Sequence, residues 1–153
     1  MFSYCLSLEK VNVDEWNFES ALYVYDMFIN CVSLKDDSTD DGIIKLNRSG
    51  INDTIDSEMY CSNMFGLCQS LKKIDLSNFN GKIVDLSYMF DTCSQLEEIL
   101  LPDDFINNAT DFSSLFQGCR KLKSMDLSDG IFEEDVNLYC MFCGCKSITK
   151  IKL

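Results

Sequence analysis

Residues 83–96 read IVDLSYMFDTCSQL, and this stretch carries the phrase that decides the fold. Its apolar side chains recur every third or fourth residue, which is the spacing of one buried face of an amphipathic helix. The pair Met-Phe recurs at residues 1, 27, 64, 89 and 141, with Leu-Phe at 115 as a variant. A cysteine stands four positions after the first residue of each pair, and a leucine or isoleucine stands three further on. Six copies of one phrase predict a repeat architecture.

A short segment with a period of two follows each copy of the phrase, and this alternation is typical of a strand. The segments are Val11-Asn12-Val13, Ile44-Lys45-Leu46, Ile74-Asp75-Leu76, Ile99-Leu100-Leu101, Met125-Asp126-Leu127 and Ile151-Lys152-Leu153. One helix and one short strand cannot bury their own apolar faces, whereas stacked units cover one another. The sequence therefore predicts an α/β solenoid of about six helix–strand units of ~26 residues, with a parallel sheet on its concave side.

The phrase in residues 83–96, followed by an Ile-x-Leu segment, resembles the BspA-like leucine-rich repeats. Those repeats occur mainly in surface proteins of bacteria and of some parasitic protists. The resemblance implies a horseshoe-like solenoid used in adhesion or protein–protein contact, and it brings no catalytic residues. It also implies a cell-surface or secreted location, whereas unpaired cysteines and the absence of a visible signal peptide favour the cytoplasm. We expect residues 1–153 to form one leucine-rich-repeat domain, as a whole protein or as a fragment of a longer array.

The second unit is longer than the others, because its Met-Phe pair stands 37 residues before the next pair instead of 25 or 26. The surplus predicts an insertion loop at about residues 35–57. Its densest acidic run is Asp36–Gly42. As a calcium-binding loop this run would place Arg48 at the twelfth position, where a bidentate glutamate is required. We therefore interpret the run as a solvated part of the insertion.

The composition excludes several classes of function. The chain has 25 acidic and 13 basic residues and a formal net charge of -12, which disfavours binding to nucleic acid. No apolar run reaches the ~18–20 residues of a membrane span. The chain has no histidine, which excludes Ser-His-Asp and Cys-His catalysis and any zinc site that uses imidazole. We expect a protein that is not an enzyme and that holds no cofactor and no metal.

The nine cysteines do not form a fully paired disulfide framework, because their number is odd. The six that recur with the phrase, and Cys61 as well, are predicted to pack as compact apolar side chains in the core. Cys140-x-x-Cys143-x-Cys145 in the last unit resembles half of a metal knuckle, but zinc needs four ligands. A redox-active pair formed by Cys140 and Cys143 remains as an alternative.

The predicted binding surface consists of strand side chains that point away from the core. These are Lys45, Lys73, Asp75, Glu98, Leu100, Asp126 and Lys152. Their mixed charge, with an apolar centre at Leu100, favours a protein ligand over a carbohydrate, because no aromatic row lies among them. The alternative is a structural subunit that stacks end to end, since neither end of the chain carries the polar cap that solenoids normally need.

Overall fold

The computed structural model describes residues 1–13, 16, 18, 21–35, 44–47, 58–132 and 134–152. Its seven strands are β1 (Ile44–Asn47), β2 (Met59–Tyr60), β3 (Lys73–Asn78), β4 (Ile83–Asp85), β5 (Glu98–Leu100), β6 (Ser124–Asp126) and β7 (Lys150–Lys152). Most of the predicted insertion at 35–57, with the acidic run and Arg48, lies outside the described residues.

All strand pairs are parallel, and they form a three-stranded sheet β1-β3-β5, a pair β2-β4 and a pair β6-β7. Ile44, Ile74 and Ile99 are in register, so equivalent positions of successive units stand side by side. This arrangement confirms a repeat solenoid with parallel sheets. Five of the six predicted strand segments overlap an observed strand, whereas residues 11–13 form none.

The units stack along two surfaces. The first contains β1, β3, β5, β6 and β7, and we call it the strand face. The second surface contains β2 and β4, and we call it the bridge face. There single bridges join Tyr23 to Tyr60, Asp85 to Asp111, and Asp111 to Asn137. Residues 83–96 enter on the bridge face through β4 and lead to the strand face at β5.

The helix predicted for residues 83–96 is wrong, and the described residues contain no helix anywhere. After β4 the chain makes successive turns in which an N–H donates to the carbonyl three residues back, as from Met89 to Leu86 (3.2 Å) and from Cys93 to Phe90 (3.1 Å). Tyr88 and Thr92 both have a φ of 56°, in the left-handed region. Two left-handed residues four apart are incompatible with a right-handed helix. A row of such turns still directs every third or fourth side chain inward, which is why the apolar spacing resembles that of a helix.

Stacking of the units supplies the backbone hydrogen bonds that a helix would have made internally. The Tyr88 N–H donates to the carbonyl of Ser113 (2.9 Å) in the next unit, and the Phe90 N–H donates to that of Leu115 (3.0 Å). N–H groups along this segment therefore alternate between their own turn and the next unit. Because buried backbone groups must be paired, each unit requires its neighbour to hold this conformation.

Stacked phenylalanine rings form the centre of the core. One ring from each copy of the phrase contributes to a continuous ladder of six: Phe2, Phe28, Phe65, Phe90, Phe116 and Phe142. Successive centroids lie 5.5, 5.3, 5.6, 5.7 and 5.5 Å apart, and the largest angle between neighbouring planes is 14°. Offset stacking at this distance adds roughly 0.5–1.5 kcal/mol per pair to the burial of the rings.

The cysteines that recur with the phrase pack beside this ladder. Cys31, Cys68, Cys93 and Cys119 are fully buried, which confirms the core interpretation for them and for Cys61. Cys145 is only partly buried, and the interpretation is wrong for Cys5, which is exposed. Five of the thiols also donate to a phenylalanine carbonyl of the preceding unit, as Cys93 does to Phe65 (3.1 Å): Cys31, Cys68, Cys93, Cys119 and Cys145. Burial raises the pKa of the Cys93 thiol. The position therefore suits a small side chain that fills space and also donates a hydrogen bond.

Thiol accessibility tests this packing. Alkylation of the reduced, folded protein with iodoacetamide is expected to be fast at Cys5, which is exposed. It should be slow at the buried cysteines until the protein is unfolded, because burial removes both access and thiolate: Cys31, Cys61, Cys68, Cys93 and Cys119. Peptide mass spectrometry against time would measure each site, and rapid labelling of Cys93 in the folded state would contradict the structure.

Candidate functional site

The strand face brings most of the predicted binding residues together. Lys45, Asp75 and Leu100 are neighbours in register across β1, β3 and β5. Lys73 is likewise opposite Glu98 on the same sheet. The alternation of each strand explains their position, since Ile74 is buried in the core while Asp75 points outward.

Asp126 and Lys152, the other two predicted residues, belong to the separate β6-β7 pair, where they are in register with each other. The predicted set of residues is therefore divided between two sheets of one face.

Four of the charged residues pair with each other. The Lys73 ammonium lies 2.9 Å from the Glu98 carboxylate, and the Lys152 ammonium donates to the Asp126 carboxylate. Hydrogen bonds from Lys152 and then from Ser128 lower the pKa of Asp126 to about 2. These pairs are exposed, so they set the local charge pattern more than they stabilise the fold.

Asp75, inside β3, and Asp126, the last residue of β6, also have a structural role. The Asp75 carboxylate accepts hydrogen bonds from the backbone N–H (2.9 Å) and the hydroxyl (2.6 Å) of Ser77. Asp126 accepts the same pair of hydrogen bonds from Ser128. The sequence Asp-Leu-Ser thus closes an Asx turn, within β3 in one unit and just after β6 in the other.

The fourth unit lacks this turn, and there the strand face opens. Leu100-Leu101-Pro102 stands where the neighbouring units have Asp-Leu-Ser. β5 and β6 belong to different sheets, and no Cα atom of one lies within 8 Å of a Cα atom of the other. We call the space between them the β5–β6 cleft.

The β5–β6 cleft has a volume of about 410 Å³. Its lining includes residues of both strands and of the turn that follows β5: Ile99, Leu100, Pro102, Ile106, Ser124 and Asp126. Leu100 is 41% exposed at its rim. Sequence reasoning identified Leu100 and Asp126 but missed the cleft, although the replacement of Asp-Leu-Ser by Leu-Leu-Pro was a visible signal.

Sequence reasoning also missed an aromatic cluster on the bridge face. The ring of Tyr23, which is 67% exposed, stacks on that of Tyr60 at 5.4 Å. Tyr25 meets Tyr23 edge to face at 6.1 Å. The Tyr60 hydroxyl donates to Glu58 (3.2 Å), and this hydrogen bond raises the pKa of Tyr60. The signal in the sequence was Tyr-Val-Tyr at residues 23–25, one residue before the second Met-Phe pair.

The cysteines of the last unit form a pair at the surface. Cys140 is half-buried, Cys143 is exposed, and the Cys143 N–H donates to the Cys140 carbonyl (2.9 Å) across one turn. A hydrogen bond with Cys140 raises the pKa of Cys143, and burial adds to the effect. A raised pKa reduces the thiolate fraction at neutral pH, which disfavours a nucleophilic role.

The described residues have two further properties that bear on function. They contain no group of three or more histidine, cysteine, aspartate or glutamate side chains arranged to hold a metal ion. Over the same ranges, no helix has the length and apolar character needed to cross a membrane.

Comparison with known proteins gives two matches to family models. Residues 59–153 match the model described as a BspA type leucine rich repeat region with six copies. Residues 1–49 match a model described as a Mycoplasma protein of unknown function. Neither the curated proteins nor the solved structures contain a match.

Proposed function

The chain belongs to the BspA-type leucine-rich-repeat family, and from this premise we propose that it is a non-catalytic scaffold that binds a protein partner on its strand face. The observation that carries the proposal is the register of Lys45, Asp75 and Leu100, which places outward side chains of successive units in one row. Adhesion at a cell surface is the physiological role that the family suggests.

The chemistry of the strand face suits a protein ligand. Leu100 is a large exposed apolar side chain beside acidic and basic residues, and protein interfaces combine an apolar centre with a polar rim. The Lys73–Glu98 and Lys152–Asp126 pairs give the rim both signs of charge. A partner with complementary charges would gain specificity and a higher association rate from such a rim.

The non-catalytic part of the proposal is supported by the composition and by the thiols. The chain has no histidine, and the pKa of Cys143 is raised rather than lowered. An enzyme or redox protein would instead need a group activated for proton transfer or nucleophilic attack.

Capture of a partner tests the proposal. Immobilised wild-type protein would be incubated with lysate and surface extract of the source organism, and bound proteins would be identified and titrated. Leu100→Glu is expected to lower the affinity for the partner about tenfold or more, because a charge would then be desolvated at the centre of the interface. Leu138→Glu is the matched control, since Leu138 is 44% exposed and lies outside the strand face. It should bind like the wild type.

Other outcomes would redirect the proposal. A partner that tolerates Leu100→Glu but is lost from Tyr23→Ala would move the interface to the bridge face. No partner at all, together with a sedimentation mass that rises with protein concentration, would favour the structural subunit that stacks end to end.

A further inference from the structure

The backbone edges of the β5–β6 cleft are suited to accept another strand. β5 is the last strand of the β1-β3-β5 sheet, and β6 is the first of the β6-β7 pair. In the described part of the chain, the facing edges of β5 and β6 pair with no strand. Paired strands lie ~4.8 Å apart, so one strand inserted between two others needs ~9.6 Å. No Cα atom of β5 lies within 8 Å of a Cα atom of β6, so the two strands are too far apart to pair directly.

The opening is local, because the same two units stay stacked elsewhere. The rings of Phe90 and Phe116 stack at 5.7 Å, and Asp85 bridges to Asp111 on the bridge face. The Lys121 ammonium also reaches the Glu97 carboxylate (3.4 Å) just before the two strands begin. The cleft is therefore held open between rigid neighbours, which reduces the cost of binding.

The floor of the cleft is apolar and lacks its usual cover. Ile99 is only partly buried, whereas the equivalent Ile74 and Met125 are buried. Leu101 is likewise only partly buried, although its counterparts in the flanking units are buried. The inward side chains of an added strand would restore this cover, and the burial of apolar surface would favour binding.

The far end of the cleft is acidic. Asp103, Asp126 and Asp129 line it, and its lining contains no lysine or arginine. Lys152 pairs with Asp126, and its charge also interacts with Asp129, so one ammonium group faces three carboxylates. Asp103 and Asp129 are exposed just beyond the ends of β5 and β6. A cationic side chain near one end of the inserted strand complements this charge.

From these observations we infer that the β5–β6 cleft binds an extended peptide segment of a protein partner by β-strand addition. The segment pairs through its main chain with the edges of β5 and β6 and places alternate apolar side chains on Ile99 and Leu101. A lysine or arginine of the segment lies against Asp103 and Asp129. The inference rests on the proposed function and specifies the form of the ligand.

Selection from a phage library of random linear peptides tests the inference. Wild-type protein is expected to enrich peptides with alternating apolar residues and at least one lysine or arginine. The best of them, made synthetically, would be titrated by fluorescence anisotropy. A copy with backbone N-methyl groups on alternate residues should bind at least about tenfold more weakly, because it cannot complete the main-chain hydrogen bonds. Asp103→Lys should weaken binding of the unmodified peptide. Glu134→Lys should not, because Glu134 is an exposed acid outside the cleft and its substitution makes the same charge change.

Hydrogen exchange locates the bound peptide. Added protection is expected at the amides of β5 and β6. Protection on the bridge face, no enrichment of any peptide, or equal binding of the N-methylated copy would overturn the inference. Binding of a partner could be abolished by Leu100→Glu but unchanged by Asp103→Lys and by competing peptide. That result would refute strand addition and leave the proposed function standing.

Discussion

Leu96→Asp is expected to unfold the solenoid. Leu96 is fully buried, and its N–H closes the last turn of the phrase on the Cys93 carbonyl (3.0 Å). An unpaired carboxylate at this position has no cationic partner in the core, and the penalty is several kcal/mol. That penalty is comparable with the ~5–15 kcal/mol that stabilises a whole domain.

Thermal unfolding followed by circular dichroism would measure this effect. The matched control is Leu100→Asp, which introduces the same charge four residues later at an exposed position of the same unit. Surface substitutions usually change stability by about 0.5 kcal/mol or less, so the control should melt close to the wild type. If Leu96→Asp melted with the control, the assignment of the leucine column to the core would be wrong.

Phe90→Ala is expected to lower the free energy of unfolding by about 3–5 kcal/mol, the usual cost of removing a buried aromatic ring. The Phe90 ring stacks on Phe65 at 5.6 Å and on Phe116 at 5.7 Å, so its loss interrupts the ladder in the middle. The Phe90 carbonyl also accepts a hydrogen bond from the Cys119 thiol (3.2 Å), and a cavity here would loosen that hydrogen bond as well.

Urea unfolding of Phe90→Ala beside Phe142→Ala separates stacking from simple loss of a ring. Phe142 is partly buried and stacks on Phe116 alone among the described residues, so its loss should cost less. Equal losses for the two variants would contradict a ladder whose strength depends on neighbours on both sides. A fall in the m-value for Phe90→Ala would show that the units on either side unfold separately.

The columns of the core could be predicted from the sequence, because their residues recur at fixed offsets. Leu96, Phe90 and Cys93 are buried where the repeat places them, and the strand segments from Ile44 onward are parallel within each sheet. The helix could not be excluded, because a row of turns and a helix both direct apolar side chains inward every third or fourth residue. The left-handed φ of Tyr88 and Thr92 distinguishes the turns from a helix. A glycine at either position would have indicated a left-handed φ in the sequence, but neither residue is a glycine.

The site was predictable in part. Alternation along each strand was enough to place Asp75 and Leu100 outward, and a fixed repeat length was enough to make them neighbours. The pairing of Lys73 with Glu98 follows from that register. The β5–β6 cleft does not follow, because its width depends on how the turn after β5 packs.

What the sequence by itself determined is therefore the repeat: which side chains enter the core, how many units stack, and which strand residues point outward. These properties depend on the spacing of residue types along the chain, which can be read directly from the sequence. The tertiary structure alone decided how the backbone between the strands is hydrogen-bonded and where the stack opens. An N–H such as that of Tyr88 can donate to Ser113 only when the next unit is in place, so its partner depends on contacts between units.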